Sequence, residues 1–421
     1  MHFLNSLNSG ISIMQSKPYP NTTDICIIGA GMVGLSIAHQ IMQRNSTLSI
    51  TLIDKEADVG EHGSGRNSGV LHAGLYYPPD SLKAKVCVAG AKRLRAWCEE
   101  EGLPILACGK VITPQKPELD SQLDLLLKRG LANGAEVELI NETQFFELVP
   151  DGRTSTGRAI WSPGTCVVKP KLVIQRLRQR LTEQGAKFFL SQPLWRAVPD
   201  DKKIVFRDGN SLTYGHLFNC AGLHADQVAQ AFGVGAEYTM LPFRGNYWQL
   251  KADSPFLFKT NLYPVPDLEV PFLGVHVTPS VDGITYLGPT ATPALGRENY
   301  RGLKGADPLL ALGFARHMAT QWLLDKKMRR YVREQACQGL PRQFLNAARA
   351  IIPRLEAKYI ERSSKVGIRP QLYDRVKCEL VQDFVMMPGP HSTHIINAVS
   401  PAFTASFELA DMILNQSAIS L

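Results

Sequence analysis

Three glycines and one aspartate carry the first chemical signal. Gly29, Gly31 and Gly34 form G-x-G-x-x-G directly after an apolar run at residues 24–28. In such a loop the first glycine allows the tight turn, the second lets backbone approach a pyrophosphate, and the third lets the helix pack closely on the strand. The helix that follows would offer free N–H groups and a positive dipole end to the phosphates. Asp54 lies 20 residues after Gly34, at the end of a second apolar run. A carboxylate there can bind ribose hydroxyls and disfavours a 2′-phosphate. A glycine-rich turn without a ligand would explain the loop but not Asp54. The set predicts a bound dinucleotide.

The elements that must position these groups follow the order of a βαβ unit. Residues 24–28 read as a buried strand, a helix-like stretch runs to about residue 44, and residues 49–53 read as the next strand. A Gly/Ser-rich loop covers residues 59–74. Residues 81–101 read as a helix, with Leu82, Val86, Ala89, Leu94 and Trp97 near helical spacing. Residues 109–113 are strand-like and precede two helical segments. Residues 169–185 form a basic amphipathic helix ending at glycine. Short strands fill residues 187–220. The stretch 238–287 is rich in aromatic and β-branched residues, Pro and Gly, and reads as a sheet. Residues 307–361 read as mostly helical. A last strand at residues 394–398 precedes a helix beginning at Pro401.

Composition bounds the function classes. The chain has 421 residues, 44% apolar and 20% charged, which suits a globular protein of two or three domain-sized pieces. The net charge of +8 favours an anionic partner: a carboxylate or phosphate substrate, or an acidic membrane surface. The basic residues are scattered, and their densest cluster, Lys326 to Arg330, fits a solvated helix face, so nucleic-acid binding is not expected. Eight cysteines without a CxxC pair make neither a disulfide framework nor a zinc site, and no metal is expected. They fit a reducing, cytoplasmic location, with peripheral contact at the inner face of a membrane left open. Residues 1–23 contain one Lys, no Arg and no apolar stretch. They resemble neither a signal nor a transit peptide. Residues 1–20 read as a flexible tail, with Met14 as an alternative start.

Two segments resemble D-amino-acid-oxidase-like flavoproteins and turn the dinucleotide into FAD. LFNCAG at residues 217–222 resembles their returning strand, which puts Ala221 and Gly222 beside the cofactor. CVVKP at residues 166–170 resembles the segment near the adenine, which makes Val168 a candidate adenine contact. The resemblance sharpens at GRNSGVLHAGLYY (65–77), SLKAK (81–85), FRGNY (243–247), YPVP (263–266), FLGVHVT (272–278) and NAVSPA (397–402). This set is similar to the L-2-hydroxyglutarate dehydrogenase/oxidase family over roughly residues 24–415. Two places depart from the family pattern. R-A-Q reads Arg369-Pro370-Gln371 here, and the D-R-D-G-K-L-V-D-D-F-like stretch reads DRVKCELVQDF at residues 374–384.

The resemblance implies an α/β fold with a Rossmann-type FAD-binding domain and a discontinuous α+β substrate domain. The expected division is residues 21–102, 164–236 and 362–421 for FAD, and residues 103–163 and 237–361 for substrate. It also implies oxidation of a 2-hydroxy acid, L-2-hydroxyglutarate to 2-oxoglutarate. That chemistry needs a cation for the carboxylate, a base for the hydroxyl proton, and the C2 hydride facing the flavin. Arginine matches a carboxylate bidentately, so Arg244 and Arg369 are the candidates. His276 is the candidate base, against the plain reading of a buried core histidine. Arg66, Asn67 and Ser68 are expected at the flavin or pyrophosphate. His72 is either a non-covalent neighbour of the flavin or its covalent attachment point. Pro401 and Ala402 are expected at the flavin's pyrimidine edge, where helix amides can offset negative charge. Lys83 and Lys85 either add positive charge near the substrate or belong to a solvated face. The electron acceptor stays open among quinone, oxygen and a protein carrier. Competing readings are an amine or amino-acid oxidase, a glycerol-3-phosphate-type dehydrogenase, and a flavin-binding protein without turnover.

Overall fold

The computed structural model describes residues 21–266, 273–324, 340–417 and 419. The tail 1–20, Met14, the basic cluster at Lys326 to Arg330 and Phe272 lie outside the described residues.

The apolar run after Asn21 becomes the strand Thr22–Ile28, whose last four residues are all buried. It pairs in parallel with Ile50–Ile53 on one side and with Ser211–Asn219 on the other. These strands are the centre of an eight-stranded sheet. Lys187–Phe189 extends it beyond Ile50–Ile53, and Ser392–Asn397 joins Ser211–Asn219 in parallel. Strands buried on both faces need helices above and below. The helices Met32–Arg44, Pro170–Glu183 and Ser406–Gln416 pack together on this sheet. Arg93 of the helix Leu82–Glu100 bonds Gln40, Glu408 and Asp411, tying three helices together. Glu101, just past that helix, accepts from Arg176 and Arg180. Within the helix, Val86, Leu94 and Trp97 are buried as expected, but Ala89 is exposed and Gly90 takes the contact side. A Cβ on Gly90 would lie 2.6 Å from Ala405 Cα.

A second sheet has ten strands in the main order Glu379–Leu380, Ile360–Asp374, Tyr238–Leu250, Thr285–Gly288, His276–Pro279, Asn261–Pro264, Lys110–Thr113, Arg158–Ser162, Glu138–Asn141. Thr292–Pro293 is the tenth and pairs with Tyr238–Leu250. One face is sealed by the helix Pro341–Arg349, whose Phe344, Leu345 and Ala348 meet Val111, Leu262, Val277 and Leu287. The stretch read as helical to residue 361 ends its described helix at Arg349, and Ile360–Asp374 is a 15-residue strand. Residues 362–374, grouped by sequence with the FAD-binding segments, therefore run in the second sheet. Their pairing with Tyr238–Leu250 is antiparallel along almost the whole length.

The last helix starts at Ser406, not Pro401. Residues 401–405 form turns, in which Ala402 N–H donates to Val399 O and Ala405 N–H to Pro401 O. Thr404 holds them there: its Oγ1 donates to Val70 O and accepts from His72 N–H.

Gly34 shows how tightly the first helix sits on its turn. A Cβ there would lie 2.1 Å from Gly29 O, a backbone atom that cannot move aside. Gly34→Ala is expected to destabilise the protein by about 1–3 kcal/mol, the usual range for forced overpacking. Denaturant unfolding of the two proteins measures it; an unchanged midpoint would show that the helix does not need this close contact.

Candidate active site

A cavity of about 660 Å³ runs from the glycine turn to the face of the second sheet. Its walls begin with Gly29, Gly31 and Asp54 and end with Tyr247, Tyr263, His276 and Arg369. At the turn end, Gly29 has φ +105°, and a Cβ on it would lie 2.3 Å from Cys220 O. Only glycine allows that crossing with the returning strand. Asp54 accepts from Ala30 N–H at 2.8 Å and from Glu56 N–H at 3.0 Å. A carboxylate has about four acceptor sites, so lone pairs remain for hydroxyls in the cavity. Met32 N–H, at the start of the helix, donates to Ser64 Oγ.

The loop 61–68 forms one wall. Arg66 donates to Glu61 O and lies 4.4 Å over the Tyr300 ring. Asn67 donates to Ser64 O and accepts from Gly69 N–H, so its amide shapes the loop as well as lining the cavity. Ser68 and His72 also line it. His72 is held neutral, pushed down to about 3 by burial and then by the charge of Lys110. Its Nδ1 has no hydrogen-bond partner among the described residues. Ala221, Gly222, Pro401 and Ala402 line the cavity too.

Strand pairing builds the inner end. Phe243 pairs with Arg369, Gly245 with Gly367, and His276 with Gly288. Paired residues share a face, so three glycines clear the sheet surface between Arg369 and His276. The Tyr263 ring stacks on His276 with centroids 3.9 Å apart. His276 Nδ1 lies 2.9 Å from Gly274 O. A carbonyl only accepts, so Nδ1 carries the ring proton and Nε2 is the acceptor. Burial, ahead of every other cause, pushes His276 down to about 4. Of the residues lining the cavity, only Asp54 and Glu61 are acidic, and both belong to the dinucleotide end. A smaller cavity, lined by Phe243, Gly274 and Thr290, shares His276 and Arg369 with the large one.

Two expected residues are not brought in. Arg244 lines neither cavity. Side chains alternate along a strand, so Arg244 turns away from the face of Phe243 and Gly245, and it donates to Asn299. Val168 is buried in the core of the first helix layer and lines neither cavity. Its N–H donates to Gly69 O, which occupies its backbone. In its place residues 192–197 reach the wall. Lys83 lies over the Tyr77 and Phe384 rings outside the lining, and Lys85 is exposed.

Sequence reasoning also missed Tyr247 and Gly367, which line the large cavity. Alternation marks one face of a strand, but only the partner strand says which residues stand beside it. At the dinucleotide end, where Lys55 and His62 line the cavity, Glu56, His62 and Glu298 come within reach of one another as metal ligands would. Lys55 Nζ already bonds all three, so an ammonium takes that place.

The family model for FAD dependent oxidoreductases (DAO) matches residues 24–415. The chain belongs to this family of FAD-dependent oxidoreductases. FAD is its cofactor, and the cavity suits it: a glycine turn where a Cβ would close the space, a carboxylate at the ribose position, and a long channel to the second sheet. This flavoenzyme is 35% identical over 407 residues to the mitochondrial L-2-hydroxyglutarate dehydrogenase of Caenorhabditis elegans, covering 93% of this chain and 92% of that one. It is 34% identical to the L-2-hydroxyglutarate dehydrogenase of Indibacter alkaliphilus, covering 91% and 96%. The human mitochondrial enzyme of that name is 33% identical, covering 93% and 88%. The flavoenzyme's fold resembles L-alpha-glycerophosphate oxidase from Mycoplasma pneumoniae, with a TM-score of 0.74 at 20% identity over 94% of this chain and 95% of that one. It also resembles glycine oxidase from Geobacillus kaustophilus, with a TM-score of 0.71 at 16% identity over 96% and 97%. No helix among its described residues is long and apolar enough to cross a membrane.

Gly31 lines the channel at its phosphate end. Gly31→Val is expected to yield largely FAD-free protein, read as the ratio of flavin to protein absorbance. Normal FAD content in the variant would contradict the placement of the pyrophosphate at this turn.

Proposed function

We propose that this chain oxidises L-2-hydroxyglutarate to 2-oxoglutarate with FAD as the electron acceptor. The observation that carries the reading is the inner end of the cavity, where Arg369 and His276 share one sheet face and no carboxylate lines the wall. Such a surface attracts a dianion and repels a cation. Support comes also from the relatives, which are L-2-hydroxyglutarate dehydrogenases along nearly the whole chain.

In this reading Arg369 holds a substrate carboxylate through its planar fork. His276 Nε2 accepts the hydroxyl proton as the C2–O bond becomes a carbonyl. An empty site keeps His276 uncharged; an arriving carboxylate offsets the cations nearby and raises its basicity when it is needed. When bound, FAD supplies the acceptor, at N5, for the hydride that leaves C2. Gly29, Gly31, Asp54, Arg66, Asn67 and Ser68 would hold its dinucleotide part, with Ala221, Gly222, Pro401 and Ala402 along it; Gly34 lines neither cavity and serves by letting the helix rest on Gly29. Pro401 and Ala402 lie in a turn before the last helix, and the Ala402 N–H already donates to Val399 O. We assign residues 362–374 to the substrate part, together with residues 103–163 and 237–361. Reoxidation of the reduced enzyme by oxygen, a quinone or a protein carrier identifies the acceptor.

The test is an anaerobic panel followed at the oxidised-flavin absorbance. L-2-hydroxyglutarate should bleach the flavin; bleaching by glycerol 3-phosphate or an amino acid, but by no hydroxy acid, would overturn the reading. His276→Ala should slow reduction by about 10²–10⁴-fold with FAD still bound. Arg369→Ala should lower the specificity constant about 10- to 150-fold, from a lost charged contact of about 1.5–3 kcal/mol. Arg244→Ala should affect it far less, and equal losses would put Arg244 back at the substrate.

His72 is assigned as a non-covalent neighbour. Acid precipitation should release all the flavin into the supernatant. Flavin that stays with the pellet would establish a histidyl link.

A further inference from the structure

Lys110 opens the strand Lys110–Thr113 and is fully buried. Among the described residues its Nζ has no hydrogen-bond partner, and no salt bridge reaches it. It lies instead 4.9 Å from the centre of the Tyr76 ring and 5.4 Å from that of Tyr263. Ring faces attract a cation, but they replace only part of its lost hydration. A methionine of similar length would fill the same space without that cost. Packing therefore does not account for an ammonium here.

The position does. Asn261 pairs with Lys110, and Tyr263, two residues on, stacks on His276. Lys110, Tyr263 and His276 thus occupy neighbouring strands on the same face of the sheet. Burial pushes the ammonium down to about 8, while the two ring faces beside it favour its charged form. Its charge opposes protonation of both His276 and His72. The other groups facing this corner are Arg369 from Ile360–Asp374, Tyr247 from Tyr238–Leu250, Tyr76 and Tyr77 from the segment after Val70–Leu71, and Lys83 and the Cys87 thiol from Leu82–Glu100. None is a carboxylate.

We propose that Lys110 is a positioning residue of the active site: a buried cation whose field, acting across Tyr263, keeps His276 an uncharged proton acceptor and favours a carboxylate in the adjoining cavity. The proposal rests on the reading of the cavity as the site of a hydroxy acid. Lys110 touches no substrate; it acts through His276 and through the potential of the cavity.

The test compares the FAD-loaded wild type with Lys110→Met and Lys110→Arg. Lys110→Met removes an uncompensated buried charge, so its Tm should equal or exceed that of the wild type. The acid limb of the flavin-reduction rate should move up by about one pH unit, because His276 then protonates more easily. Affinity for oxalate, read from the perturbed flavin absorbance, should fall roughly tenfold. Lys110→Arg keeps the charge and should keep the wild-type limb and oxalate affinity. An unmoved limb or unchanged oxalate affinity in Lys110→Met overturns the proposal. So does a lowered Tm or a failure to fold, which would make the lysine a packing residue, and so does an arginine variant that behaves like the methionine one. Oxalate binding needs no turnover. If no hydroxy acid reduces the wild-type flavin, the substrate reading falls, while the oxalate and Tm measurements still decide the role of Lys110.

Discussion

The whole arrangement depends on backbone approaching backbone where side chains would block it. Gly29 crosses the returning strand at Cys220, and Gly34 lets the first helix rest on Gly29. At the other end Gly245 faces Gly367 across the pairing of Tyr238–Leu250 with Ile360–Asp374. A Cβ on Gly367 would lie 2.9 Å from Arg66 O, so the same glycine lets the second sheet close against the loop of the dinucleotide unit. One continuous channel results. Larger residues at these points would separate the phosphate end from the sheet face where His276 and Arg369 stand.

Electrostatics divides that channel. Among the lining residues carboxylates appear only at the dinucleotide end, where backbone amides bond Asp54 and the cations Lys171 and Arg66 pair with Glu61. The inner end is cationic and aromatic. Burial there keeps histidines neutral and leaves Lys110 without a counter-ion. Such a region is costly in the absence of substrate, and a bound dianion relieves it. Strain of this kind is tolerated at functional sites because the surrounding structure is stable enough to hold it. Here the support is the apolar layer of the helix Pro341–Arg349 beneath the sheet, and the ion pairs of Arg93 and Glu101 that bind the helices together. Asp226 plays a similar part between the two sheets: it accepts both Nη atoms of Arg297 and the N–H of Met240.

Local rules served well where the chemistry is local. The turn, the helix after it and Asp54 follow from spacing within one βαβ unit, and the chain folds there as those rules require. They failed where a neighbour in space decides. FRGNY puts Arg244 next to Gly245 in sequence, yet alternation sends the two to opposite faces. Pro401 has the residue type of a helix start, but Thr404 anchors its segment to Val70 and His72 as a turn. Val168 sits in a motif that resembles an adenine contact, and Gly69 takes its backbone.

The sequence by itself determined the dinucleotide unit and the family, because each depends on residue type and short-range order, and it offered Arg244, Arg369 and His276 only as candidates. The tertiary structure alone decided which side chains meet. Register between strands more than 100 residues apart in the chain set Arg369 beside Phe243, and pairing through the nearby strand Thr285–Gly288 brought Tyr247 and His276 to one face. It also placed Lys110 behind Tyr263, a residue 153 positions away. A single lysine in an apolar stretch reads as an edge or a surface position in sequence. Only the packing of aromatic rings around it shows a charge kept from water, and so shows what that charge can act on.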